Sequence, residues 1–142
     1  MKTLKIIAAS TLLLASSTYA NFEVNRNGVA FSQSSNYIDV VALVEINIKT
    51  PIVSFNILST SYDKQHCTNY ATSISKVNGK NVKMYTIKNG LQCMYYPATV
   101  QGKEYVRNEF FKKNTVNWQG AIISAKGFTK AVKDLKSQKD AI

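Results

Sequence analysis

From Tyr37 to Ile48 the apolar residues Ile38, Val40, Ala42, Val44, Ile46 and Ile48 occupy every second position, a period of two that places them on one face of an extended strand. Asp39, Glu45 and Asn47 fall on the other face, yet Val41 and Leu43 share it. A strand that is apolar on both sides belongs in the interior of a sheet. Lys49-Thr50-Pro51 then breaks the run, and Val53, Phe55 and Ile57 alternate with Ser54 and Asn56 as a second strand. The two are expected to pair as an antiparallel hairpin, with Gly28 to Gln33 as a strand ahead of them.

The next segment reads differently. Ser59, Thr60 and Ser61 offer helix N-caps, Asp63 suits a first turn, and Tyr62, His66, Tyr70, Ile74 and Val77 recur at three- and four-residue steps before Asn78-Gly79. This predicts a helix over Ser61 to Val77. The β-branched Thr68, Thr72, Ile74 and Val77 would equally suit a strand, and Asn78-Gly79 a hairpin turn. The cysteines favour the helix. In a flat meander Cys67 and Cys93 would stand two strands apart, roughly 10 Å, beyond disulfide reach.

Asn81 to Lys88, Asn89-Gly90 and Leu91 to Pro97 form the clearest hairpin signal in the chain. With Lys88 opposite Leu91, Tyr85 would face Met94 and Met84 would face Tyr95. Gln101-Gly102 reads as a turn into a strand from Glu104 to Phe111, and another strand is expected from Thr115 to Ser124. Phe128, Ala131, Val132 and Leu135 then form the apolar face of a C-terminal amphipathic helix whose other face holds Lys126, Lys130 and Lys133. The expected fold class is α+β: an antiparallel meandering sheet of about five to seven strands, one helix packed on it, and the C-terminal amphipathic helix.

The N-terminus carries Lys2 and Lys5, then an apolar stretch from Ile6 to Ala15 broken only by Ser10 and Thr11, then Ser16-Ser17-Thr18-Tyr19-Ala20. This is the layout of a secretory signal peptide, with the cut expected after Ala20, and the apolar run is well short of the roughly 20 residues of a bilayer span. Residues 1–20 are therefore read as a cleaved leader and 21–142 as a single disulfide-stapled globular domain. Export to a periplasm or beyond the cell exposes Cys67 and Cys93 to oxidising conditions, where they should be joined. Closing that loop contributes roughly 3 to 4 kcal/mol in the chain-entropy picture.

Removing Lys2 and Lys5 from 18 basic residues leaves 16 against eight acidic ones, of which only Arg26 and Arg107 are arginine. Lysine is a hydrated point charge, suited to diffuse attraction more than to bidentate recognition. An exported basic protein is expected to meet an acidic protein, or an anionic lipid or glycan, and not nucleic acid.

Vocabulary for catalysis is sparse. His66 is the single histidine, its neighbour Cys67 is expected to be oxidised, and no ligand set of recognised metal spacing, phosphate-cradling glycine loop or nucleophile elbow occurs. No cofactor or metal is expected. Aromatic residues crowd the second half, interleaved with lysines, and a binding patch is expected at Tyr96, Tyr105 and Arg107 with Lys103, Lys112 and Lys113. The sequence thus points to an exported non-catalytic protein that binds another macromolecule, as an inhibitor, an immunity-type partner or an accessory subunit of an envelope assembly. The alternatives are a small envelope hydrolase using converged carboxylates on glycan or peptidoglycan, and a binder of anionic lipid or glycan through the lysine faces.

Overall fold

The computed structural model describes residues 21–25, 27–47, 50–58 and 67–141. The expected leader (1–20) and residues 59–66, with Asp63 and His66, lie outside the described residues. The elements in chain order are β1 (Glu23–Val24), β2 (Val29–Gln33), β3 (Val40–Asn47), β4 (Thr50–Leu58), β5 (Thr72–Val77), β6 (Lys80–Asn89), β7 (Gln92–Pro97), α1 (Val100–Lys112), β8 (Thr115–Trp118), β9 (Ala121–Ser124) and α2 (Phe128–Asp140). No helix among them is long and apolar enough to cross a membrane.

The strands form one antiparallel sheet in the order β1-β2-β3-β4-β7-β6-β5-β8-β9, curled into a half-barrel. Its two margins meet: Ser34, just after β2, bridges to Ile123 of β9, and Asn21 bridges to Lys126. Asn36 Oδ1 also accepts the Ile122 N–H at 2.8 Å. Both margins therefore find backbone partners instead of presenting open edges to other chains.

The helices pack on one face, α1 against β4, β7 and β8, and α2 against β1, β2 and β3. Alternation sends Val40, Ala42 and Val44 of β3, Val53 and Phe55 of β4, and Val82 and Met84 of β6 to this inner face, all buried. The expected α+β class with an antiparallel sheet and a C-terminal helix is what forms, but the sheet has nine strands among the described residues, and β4 lies beside β7, so the meander is interrupted.

Two expected elements exchange type. Residues 72–77 are strand β5, not the end of a helix, and Asn78-Gly79 is a hairpin turn with φ 48° and 81°, the type I′ pattern. Period two wins because Ser75 and Val77 point inward while Ile74 is 59% exposed. The distance argument for a helix assumed that the chain keeps to its strand. Instead it leaves the ladder at Tyr70, where φ is 63°. Tyr70 N–H donates to Thr86 O and Thr86 N–H to Ala71 O, and the Thr86 hydroxyl then reaches back to Thr68 O. Cys67 is thereby carried across the end of β6 to Cys93 of β7, with Cα atoms 5.9 Å apart in the Cys67–Cys93 disulfide.

Conversely, the strand expected from Glu104 to Phe111 is α1. Thr99 caps it by accepting the Gly102 N–H at 2.9 Å, and Gly102, Val106 and Phe110 line its buried side at four-residue steps. The expected strand from Thr115 to Ser124 is a hairpin, β8 and β9, turning at Gln119-Gly120 with φ 52° and 91°. The β6–β7 hairpin forms, but two residues out of the expected register: Asn89 pairs with Gln92, Tyr85 with Tyr96, and Met84 with Pro97. Gly90 (φ 59°) and Leu91 are the central residues, so the positive φ falls on the glycine at the first position, as a type II′ turn requires. A slip of two preserves the faces, and Tyr85 and Met94 stay on the same side.

One break in the sheet positions the candidate site. β4 pairs with β7 only from Phe55 to Leu58, because β7 stops at Pro97 while β4 runs back to Thr50 and β6 to Lys80. α1 starts in the resulting notch. Pro51, which has no N–H, pairs with Ile46 of β3 but lies on the stretch of β4 that has no β7 partner, and its carbonyl accepts Arg107 Nη1 at 3.4 Å.

Candidate interaction surface

The outer face of the sheet, opposite the helices, carries the other half of every alternation. Register places Val29 and Phe31 of β2, Val41, Leu43 and Glu45 of β3, Ile52, Ser54 and Asn56 of β4, Met94 and Tyr96 of β7, Tyr85 and Ile87 of β6, and Ile74 of β5 on this side. Val41 and Leu43 in the middle of β3 meet Phe31 on the β2 side and the buried polar pair Ser54 and Asn56 on the β4 side, so apolar and polar residues share a face that would ordinarily be polar.

Three tyrosines cross this face in a stack. Tyr85 and Tyr96, direct cross-strand partners, lie 5.5 Å apart between centroids at 15°, and Tyr70 continues the stack at 6.3 Å and 21°. Tyr85 is sandwiched, while Tyr70, 74% exposed, ends the row with a ring open to contact. Rings held against each other have little rotamer freedom left to lose on binding, which is why such groups make efficient contacts.

Beside the stack a cleft opens at the notch, walled by Ile46, Ile52, Ile87 and the rings of Tyr85 and Tyr96, with Glu45 and Lys103 as its charged members. Tyr96 Oη donates to Glu45 Oε1 at 3.4 Å. Burial and the Glu45 charge push the Tyr96 hydroxyl up to about 12, outweighing the hydrogen bond from Ser54, which acts the other way. Because the folded value lies above the ordinary 10, the contribution of neutral Tyr96 to stability is complete below pH 10 and is lost as pH rises through about 12. Tyrosinate absorbance during alkaline titration should therefore show Tyr96 among the late-ionising tyrosines, with Tyr95 and Tyr105, whose hydroxyls burial also raises, and a Glu45→Gln variant should move the Tyr96 step toward lower pH.

The residues expected from sequence to form one patch are divided by α1. Tyr96 and Lys103 share the cleft, and Arg107, one turn beyond Lys103, is tied to Pro51. Tyr105 is on the other flank: its hydroxyl donates to Val77 O at 2.9 Å, and Lys80 Nζ sits 4.9 Å from its ring centroid. Burial, then the Glu109 charge, raises its hydroxyl above the ordinary tyrosine value. Tyr105 thus holds α1 to the sheet. Lys112 and Lys113 stand exposed at the far end of α1. Sequence reasoning missed Tyr70, Ile52 and Ile87; the signal was Val41 and Leu43, which showed that the outer face would carry apolar residues too.

Both cysteines are in the disulfide, and no group of three or more His, Cys, Asp or Glu among the described residues could hold a metal. Glu45 is the one carboxylate lining the cleft; Glu109 accepts Asn78 Nδ2 at 2.8 Å and Asp134 accepts Lys130 Nζ at 2.9 Å. No protein-family model matches the chain, and no curated protein or solved structure matches it either.

Proposed function

We propose that the chain is an exported, non-catalytic binding protein that recognises another macromolecule through the outer sheet face carrying Tyr70, Tyr85 and Tyr96, as an inhibitor, an immunity-type partner or an accessory subunit of an envelope assembly. The observation that carries this reading is the tyrosine stack on an outer sheet face that also carries Phe31, Leu43, Met94 and Ile87. Export rests on the leader-like N-terminus together with the disulfide, which suits an oxidising, extracellular or periplasmic setting. The partner is an acidic protein: Lys83, the next outward residue from Tyr85 on β6, borders the stack and Lys103 enters the cleft, against Glu45, whose carboxylate is already engaged by Tyr96.

The test is recovery of a partner from envelope extract by the mature chain and by a Tyr70→Ala/Tyr85→Ala variant, at low salt and at about 0.15 M. The wild type should retain one stoichiometric acidic protein at the higher salt, and the variant should bind that protein at least about thirtyfold more weakly, the scale of one interface hot spot. Equal recovery by a variant with unchanged thermal unfolding, or loss of every partner with salt, would overturn the reading.

A further inference from the structure

A second surface, on the helix side of the sheet, gathers positive charge around one exposed aromatic ring. Phe111, 40% exposed in the last turn of α1, packs edge-on against Phe128 of α2 at 4.8 Å between centroids. Ala125 N–H donates to Asn114 O at 2.8 Å, so Lys113 and Lys126 come to the same end of the β8–β9 hairpin. Lys112 precedes Lys113, and Lys130 lies in the first turn of α2, four residues after Lys126.

Of these lysines only Lys130 has a carboxylate partner, Asp134 at 2.9 Å; Lys112, Lys113 and Lys126 are in no ion pair within 4.0 Å among the described residues. The first turn of α2 contains no acid. Asn21 bridges to Lys126, and Phe22 N–H donates to Lys126 O at 2.9 Å. The expected cut after Ala20 would add the new α-ammonium of Asn21 to the same cluster. Like charges brought together without counter-charges repel, a cost to the fold that an external anionic surface would relieve.

We propose that this junction docks on an anionic phospholipid bilayer, with Phe111 entering the headgroup layer and Lys112, Lys113 and Lys126 lying over the phosphates. Lysine stems reach along an apolar surface while their ammonium groups stay hydrated near phosphate. The exposed ring decides between the candidate polyanions, since a bilayer offers it an apolar interface and a dissolved polyanion offers it none. The tyrosine face lies on the opposite side of the sheet and remains free, so this proposal does not depend on the first.

Co-sedimentation of the mature chain with vesicles tests it, using vesicles of zwitterionic lipid alone and with about a third anionic lipid, and heparin as the dissolved polyanion. Of the two kinds of vesicle, the chain should bind only the anionic one. A Lys112→Gln/Lys113→Gln/Lys126→Gln variant should bind about a hundredfold more weakly, at about fivefold per lysine. Phe111→Ser should weaken vesicle binding about fivefold and leave heparin binding unchanged. Binding unaffected by the triple substitution, or vesicle binding unaffected by Phe111→Ser, would overturn the proposal, the latter in favour of a dissolved polyanion. Thermal unfolding should be unchanged or raised in the triple variant, because repulsion is relieved, which separates these outcomes from misfolding.

Discussion

A Cys67→Ala/Cys93→Ala variant is expected to unfold about 10 °C below the oxidised wild type, a loss of roughly 3 to 4 kcal/mol. The estimate follows from the 26-residue separation of the two cysteines. The place of the bond in the fold makes the effect larger than that of a surface staple. Residues 67–71 are the described part of the connection from β4, in the middle of the sheet, to β5, beyond β6. The described part of that connection is held to β6 by the Thr86 and Lys88 hydrogen bonds and to β7 by the disulfide. Both cysteines are buried, at 4% and 1% exposure, so the alanine pair also gives up packing in the hydrophobic interior. Thermal unfolding followed by circular dichroism should show the reduced wild type and the double variant shifted together. A midpoint within about 2 °C of the oxidised protein would mean that the crossover is held by its hydrogen bonds.

Where period-two alternation is long and uninterrupted, as in Val40 to Asn47 and Val53 to Ile57, the inward faces read from sequence are the ones that fold inward. The errors come from places where local pattern is ambiguous and tertiary contact decides. Tyr105, Arg107, Glu109 and Phe111 alternate as a strand would, whereas Gly102, Val106 and Phe110 repeat as a helix does; the Thr99 cap and the end of β7 at Pro97 settle it for the helix. The reverse happened at Ile74 and Val77, whose three-residue spacing fits a helix but whose side chains lie on opposite faces of β5.

The site was half legible for the same reason. Composition pointed to tyrosines among lysines, and Tyr85, Met94, Tyr96 and Lys103 were within view. Their convergence was not, because it depends on three long-range facts: the two-residue shift at Gly90, the passage of α1 through the notch, and the left-handed turn that lays Tyr70 on Tyr85. None of these has a signature within a short window. Tyr105 fell out because its hydroxyl is committed to Val77 O, a contact between elements that sequence had drawn as a helix and a strand, each the wrong type.

Phe55→Ala is expected to be the most damaging single truncation, at about 3 to 5 kcal/mol, a large share of the roughly 5 to 15 kcal/mol that holds a domain together. Phe55 is fully buried at the middle of the sheet, paired with Ala42 on one side and Tyr95 on the other. Its ring stacks on Trp118 at 4.9 Å and 4°, and touches Phe110 at 6.1 Å. It therefore joins β4, the returning β8–β9 hairpin and α1 in one contact. The surrounding strands are fixed by ladders on both sides and cannot close over the space, so the cavity cost adds fully to the lost burial. Trp118 offers the internal comparison. Its indole N–H is buried with no hydrogen-bond partner among the described residues, so Trp118→Phe removes that donor along with part of a ring and should cost far less, under about 1.5 kcal/mol. Denaturant midpoints of the two variants, read by circular dichroism because Trp118 is the sole tryptophan, should differ widely. Equal midpoints would mean that the helices, and not the aromatic stack, hold the hairpin against the sheet.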